Sequence, residues 1–389
     1  MAFHPAYGQV AALFVAVVVL IAGNGLLSTL VPLSASRLGF SELTIGLIGS
    51  AYFAGMFIGC IAAPRIVAHS GHIRAFSALA AVATVTALAH PLFIEPWAWA
   101  IIRALTGFCF AGLYATIESW VQDKAENVVR GQLLAIYQIV HYIGSALGQQ
   151  SIQLAEPPSF ALFSGAAAAL ALSVLPLAFT RAEPPRAPPV PRLRLMWLYR
   201  ISPVAVVGVF AAGAANGTLW ALAPLFATLR GLDAAGIAAF MTAIILGAAV
   251  AQWPIGRLAD RLDRRYIIVG AMLIAIGAQG MLVALGGAGG GAALLTLAAL
   301  VGASTLLLYP LSSSHAGDLA GRENMVETSS ALLLAYTLGA MIGPTLAAAA
   351  MAQTGPAALF VHNGIIHLGL LLFVIWRIRE RPPRQETDP

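Results

Sequence analysis

Charge is what this chain has least of: 10% of its 389 residues are charged, against about 25% in a soluble globular protein. Cysteine is rarer still. Cys60 and Cys109 are the only two; both fall inside apolar stretches, which argues against a disulfide framework and leaves no paired metal motif. No phosphate-binding loop is completed, because GAGGG at 287–291 lacks the lysine and hydroxyl such a loop needs. Asp, Glu and His are too sparse for a hydrolase within the apolar stretches, and no catalytic triad, haem site or metal cluster is visible. The reading is therefore not an enzyme, with no cofactor and no metal. The net charge of +5 would hint at nucleic acid in a soluble protein. Here it resides in loops, where anionic lipid is the simpler partner and no nucleic acid is expected.

Long apolar runs fill the space that charge leaves. Twelve can be placed, near residues 9–34, 43–66, 73–95, 97–120, 129–153, 158–180, 200–228, 235–258, 265–286, 290–314, 325–351 and 356–377. Each is about 20 residues or more, enough to cross a ~30 Å hydrocarbon core at 1.5 Å per residue. Backbone in lipid must satisfy its own hydrogen bonds, and uninterrupted Ala, Leu, Ile and Val runs select helices over alternating barrel strands. Of the 21 Lys and Arg residues, only Arg37 and Arg230 lie in one set of alternate gaps, and Arg103 lies inside a run. The rest mark the other gaps, so both termini are expected on the cytoplasmic side. The first run has no basic region before it and no clear cleavage site, so it reads as a retained helix rather than a signal peptide.

The runs divide into two sixes. Residues 1–180 form the first expected bundle and 200–377 the second. Between them, 181–199 is rich in proline and arginine and reads as a cytoplasmic linker, and 378–389 is a cytoplasmic tail. The halves also repeat. Asn24-Gly25 recurs as Asn216-Gly217, 192 residues on, and the same shift carries Pro32 to Pro224, Gly39 to Gly231 and Arg65 to Arg257. A shift of 195 carries Gly107 to Gly302, Tyr114 to Tyr309, Gly144 to Gly339 and Gly148 to Gly343. Matches in common order at a near-constant offset argue for the internal repeat found in secondary transporters. The fold expected is an all-α polytopic membrane protein, with twelve transmembrane helices in two pseudo-symmetric six-helix bundles.

After the eighth run comes GRLADRLDRR, Gly256 to Arg265. Its four arginines carry two aspartates among them, and mixed signs in so short a loop indicate a locked turn with charged hydrogen bonds. With the duplicated plan, this loop resembles the signature of the major facilitator superfamily, and the resemblance covers nearly the whole chain. Arg103 with Gly107, and Gly144, Gly148, Gly339, Gly343 and Pro344, resemble further superfamily patterns. IESWVQDKA (Ile117 to Ala125) and GHIRAF (Gly71 to Phe76) resemble the YcaD-like branch of bacterial facilitators. The resemblance implies a cytoplasmic gate built from Gly256, Asp260, Arg261, Arg264 and Arg265, with Asp260 near Arg130. The first-half counterpart departs from the pattern: it has Pro64, Ala68 and His69 where the second half has Gly256, Asp260 and Arg261. Glu323 and Glu327 stand opposite Arg65, His69 and Arg74, either as gate partners of exchanged sign or simply favouring the positive end of a helix dipole.

Polar groups inside the runs mark candidate sites. Arg103 lies about six residues from an outer helix end, either snorkelling to headgroups or facing an anionic substrate group. Glu118 and His141 are proton-coupling candidates. Their bland alternatives are a helix-end carboxylate and a hydrogen-bonded packing histidine. Asn24, Tyr114, Asn216, Trp220, Tyr309 and Ser313 fall on runs 1, 4, 7 and 10, which by resemblance line a central cavity; helix-to-helix glue is the alternative for each Asn. The function expected is secondary transport of a small organic or amphiphilic solute by alternating access, coupled to protons, in the inner membrane of a bacterium, by a monomer. A facilitated uniporter and a non-transporting membrane sensor or scaffold are the other readings.

Overall fold

A computed structural model describes residues 5–124, 130–179, 194–285, 291–321 and 324–380, with backbone alone at 5–10, 122–124 and 130–131. The linker before Arg194, the Glu323 position, the Arg130 side chain and the tail beyond Glu380 lie outside the described residues. All regular structure among the described residues is helical: α1 Pro5–Arg37, α2 Glu42–Ser70, α3 His72–Ala89, α4 Pro96–Lys124, α5 Arg130–Gln150, α6 Phe160–Leu172, α7 Leu175–Ala178, α8 Leu195–Ile201, α9 Pro203–Leu229, α10 Ala234–Ala259, α11 Arg264–Ala284, α12 Gly291–Thr305, α13 Leu308–Ala320, α14 Met325–Thr354 and α15 Ala358–Glu380, plus one 3₁₀ turn at Ser151–Leu154.

Among the described residues, eleven segments are long and apolar enough to cross a membrane. The remaining long helix is α5, whose 21 residues rise about 32 Å but include Tyr137, Gln138, His141 and Gln149. Proline accounts for the two internal breaks. Pro176 and Pro310 have no N–H to give the carbonyls of Leu172 and Leu306, so α6 stops at Leu172 and α12 parts from α13 around Leu306. Serine and aspartate start helices as expected: the Ser41 hydroxyl accepts from the Thr44 N–H at 3.2 Å and Asp263 from the Arg265 N–H at 2.9 Å. Gly39 and Gly231, matched by the repeat, both turn the chain with positive φ, +80° and +77°.

By packing the chain separates into two compact units, Met1–Pro191 with Trp220–Thr242, and Arg192–Leu219 with Ala243–Pro389. Within each, the repeat is visible atom by atom at the helix crossings. A methyl group added to Gly107 would lie 1.8 Å from the Tyr52 carbonyl oxygen; on Gly302 it would lie 1.9 Å from that of Ile244. The same pairing links Gly55 with the Ala104 oxygen (1.7 Å) and Gly247 with that of Ala299 (1.9 Å), and Gly148 with Ala22 (2.3 Å) and Gly343 with Ala214 (2.2 Å). Every partner is also displaced by 192 or 195 residues. So α2 crosses α4 as α10 crosses α12, and α1 crosses α5 as α9 crosses α14. At each crossing glycine lets backbones meet where hydrophobic driving force between helices is weak and close packing must hold them. These crossings fix the faces on which the remaining polar side chains stand.

Candidate functional site

In the first unit, polar side chains from α1, α2, α4 and α5 converge. Asn24 donates to the Tyr114 hydroxyl at 3.4 Å, and Tyr52 lies in side-chain hydrogen-bonding reach of the same amide. The Tyr114 ring stands 6.0 Å from His141, and the Tyr137 ring 6.4 Å from it. Asn24, Tyr114, Tyr137, Gln138 and His141 are all half-buried. Tyr137 and His141 are four apart and share a helix face because a helix turn brings i and i+4 together. Glu118 is exposed and within electrostatic reach of Cys60 on α2 and Tyr137 on α5. No basic side chain pairs with it among the described residues.

Arg103 is 7% exposed, with its guanidinium over the Tyr52 ring at 4.3 Å and its Nη1 without a hydrogen-bond partner among the described residues. A cation over an aromatic face gains some electrostatic attraction, less than a carboxylate would supply in so dry a place. The guanidinium therefore turns toward α2, one helical turn from the Gly107 crossing, instead of reaching outward along its own helix. Deeper polar groups hold the unit together. Thr29 and Gln149 bond across α1 and α5, and His72 meets Ser119 at 2.8 Å across α3 and α4. His90 is clasped between Trp99 and Phe163, with its carbonyl accepting the Trp99 N–H at 3.0 Å.

The second unit repeats the amide. Asn216 is 4% exposed, and its side-chain oxygen, like that of Asn24, has no partner among the described residues. An amide oxygen left unsatisfied inside protein costs about 1–3 kcal/mol, so two at matched positions are unusual for mere packing groups. Tyr309 packs edge-on against Tyr336 at 5.3 Å, and Ser313 is half-buried one turn further along α13. Trp220, half-buried, belongs by packing to the first unit. A further polar cluster joins α9, α11 and α15: Asn363 donates to the Ala215 carbonyl at 3.2 Å, and Gln279 meets His367 at 3.3 Å. Asn363 and His367 stand four apart on α15, but Ala215 and Gln279 lie on other runs, so spacing along one run gives no sign of the meeting.

The loop from Gly256 to Arg265 is a compact charged turn. Arg265 clamps Asp263 through Nη2 at 2.7 Å, and Arg264 reaches Asp318 on α13 through Nε at 2.6 Å. Burial works to raise the Asp263 pKa, but hydrogen bonds from Arg265 and that residue's charge outweigh it and hold the carboxyl below its usual range. Asp260 is 72% exposed at the end of α10, with Arg264 at 3.8 Å. Gly256 has open space where a side chain would go, and Arg261 is exposed. In the first unit Arg65 and His69 are exposed on the last turns of α2. Glu327 lies in the first turn of α14, where a carboxylate favours the helix dipole. Among the described residues no group of three or more His, Cys, Asp or Glu is arranged to hold a metal ion.

The model of the Major Facilitator Superfamily matches residues 13–326 and again 205–389; the overlapping second match fits a chain made of repeated halves. An uncharacterised MFS-type transporter of Enterobacter sp. (strain 638) is 29% identical over 363 residues, covering 92% of each chain. The MFS-type transporter YcaD of Escherichia fergusonii is 26% identical over 356 residues, 91% of each chain. Among solved structures, the nucleoside transporter NupG superposes with a TM-score of 0.74 at 16% identity, over 97% of this chain and 100% of that one.

Proposed function

Because the chain belongs to the Major Facilitator Superfamily and is an MFS-type transporter, we propose that it moves a small amphiphilic organic solute by alternating access, coupled to protons. One observation carries this reading: the half-exposed face of Asn24, Tyr114, Tyr137 and His141, with Glu118 beside it. Aromatic rings and neutral hydrogen-bonding groups suit a solute with an apolar body and a few polar atoms, not a bare ion. Asn24 and Asn216, at matched places in the two halves, are the amides we assign to that solute, with Trp220, Tyr309 and Ser313 as further walls. Glu118, unpaired by any described base, is the group assigned to take up a proton from the aqueous side. His141, near the Tyr114 and Tyr137 rings, is assigned to take part in the proton coupling or to bind the solute. The basic loops support placing both termini and the 181–199 linker on the cytoplasmic face of a bacterial inner membrane, with residues 1–180 and 200–377 as the two moving bundles. The turn from Gly256 to Arg265 is the proposed inner gate, with Arg65, His69, Arg130, Glu323 and Glu327 as its opposing groups.

The test is a solute screen in proteoliposomes with and without an imposed pH gradient. Gradient-driven accumulation is expected, and Glu118→Gln should abolish accumulation while counterflow exchange survives. His141→Gln should shift the pH profile or the solute affinity. Equal flux with and without the gradient identifies a uniporter and removes the coupling. A cysteine at Pro188 labelled from outside intact cells overturns the orientation.

A further inference from the structure

We propose that α8, between the linker and α9, is an interfacial strap that binds anionic lipid headgroups through Arg194 and Arg200. This helix is short, and its two sides differ. Leu198 is fully buried against Ala205, Val206, Val209, Ala316, Ala320, Ala331 and Leu332, with Leu195 and Trp197 packed at the edges. That face rivets α8 to the second unit where α9, α13 and α14 come together. The opposite arc carries Met196, 66% exposed, Tyr199, 42% exposed, and Arg200. At 100° per residue these three are neighbours on the helix surface. Arg194 stands at the start with its guanidinium 5.3 Å from the centre of the Trp197 ring. Ser202 then breaks the helix at φ −134°, ψ 76°, and Pro203 opens the membrane span α9. So α8 lies at the water–hydrocarbon boundary and presents apolar side chains flanked by cations.

That combination selects the occupant. The Met196 side chain and the Tyr199 ring are apolar surface that bulk water does not favour, and a helix with an apolar arc bordered by arginine inserts at the headgroup level. Neither Arg194 nor Arg200 has an acidic side chain to pair with among the described residues. Arg200 is exposed and free to meet a phosphodiester, whose charge and geometry a guanidinium matches well. The anchored inner face keeps the two arginines at a fixed place relative to α13 and α14, so headgroup binding would hold the base of those helices to the leaflet. The identity of the leaflet rests on the proposed orientation; the binding itself does not rest on transport, and its test needs no substrate.

The detergent-solubilised full chain is titrated with fluorescent phosphatidylglycerol and, separately, phosphatidylcholine. Each surface arginine near an anionic headgroup is worth about a fivefold preference, so Arg194→Gln with Arg200→Gln should weaken phosphatidylglycerol binding roughly thirtyfold. Binding of phosphatidylcholine should not change. Both sites are exposed, and paired Arg→Lys substitutions should keep most of the preference, which separates charge from misfolding. About 1 M salt, with its ~3 Å screening length, should erase it. Equal phosphatidylglycerol binding by the parent and the double Gln variant overturns the proposal, as does phosphatidylcholine bound as tightly. Competition by millimolar inorganic phosphate would point to a soluble anion instead and equally overturn it.

Discussion

Placing one methyl group on Gly107 strikes at the close crossing of α2 and α4 in the first unit. The added carbon would sit 1.8 Å from the Tyr52 carbonyl oxygen, 2.7 Å from its carbon and 3.0 Å from the Met56 nitrogen. All three are backbone atoms, so no side chain can swing aside. To restore ordinary contact, α2 and α4 must part by about 1.5 Å, and dispersion across the crossing falls steeply over such a gap. Overpacking of this kind costs about 1–3 kcal/mol, with backbone collisions at the upper end. At roughly 2–4 °C per kcal/mol, Gly107→Ala should lower the midpoint by about 5–10 °C. A thiol-reactive dye reads this in detergent, because Cys109 is 1% exposed two residues along α4 and reacts when the crossing opens. Gly55→Ala, 1.7 Å from the Ala104 oxygen, should behave alike. Gly165→Ala, with nothing within 4 Å, is the control, and its better helix propensity should leave the midpoint unchanged or higher. If Gly107→Ala melts within about 2 °C of that control, the contact is not the constraint the glycine implies.

Asp263→Asn keeps an oxygen that can cap the helix but removes the charge that anchors Arg265, and should destabilise by up to about 1 kcal/mol at neutral pH. The Asp263 carboxyl is depressed in the folded state, so its stabilisation is full above the unfolded value near 4 and fades as pH falls through the lower folded value. Parent and variant melting curves should therefore converge only below about pH 4; convergence near pH 6 would refute the assignment. A double-mutant cycle on Arg264 and Asp318 should give a coupling of about 0.3–1 kcal/mol, since the aspartate is 55% exposed. Substituting both together should cost less than the two single changes combined; strict additivity removes the pair. Arg103→Lys keeps a cation yet loses the flat guanidinium over Tyr52. It should lower the thermal midpoint and, if Arg103 contributes to solute recognition, weaken affinity for anionic solutes more than for neutral ones. Unchanged stability and affinity in a well-expressed Arg103→Ala variant would remove both roles.

The fold was legible because membrane helices advertise themselves twice, through apolar length and through the side on which basic residues gather. The repeat was legible for a sharper reason. Gly107 and Gly302, or Gly148 and Gly343, match in sequence because each must touch a particular backbone oxygen, and those oxygens repeat at the same offsets. A glycine pinned on both sides leaves a trace that drift in Ala and Leu cannot blur. The polar face was less legible. Asn24, Tyr114 and His141 stood out as single polar residues in apolar runs, but their convergence depends on crossings between α1, α4 and α5 that spacing along one helix does not encode. Tyr52 was missed entirely, since a tyrosine in an apolar run reads as packing until the arginine of another helix is found beneath its ring. The charged turn shows the opposite limit. Its composition announced a lock, yet composition alone did not say which acid would serve it. The tightest pairs fall to Asp263 and Asp318, while Asp260 stands mostly in solvent. An acid that caps a helix or faces an arginine across one close helix pair is held by its own unit. Asp260, with only Arg264 at 3.8 Å and its side chain mostly in solvent, has no such hold, and a free charge of that kind is what the proposed gate calls for.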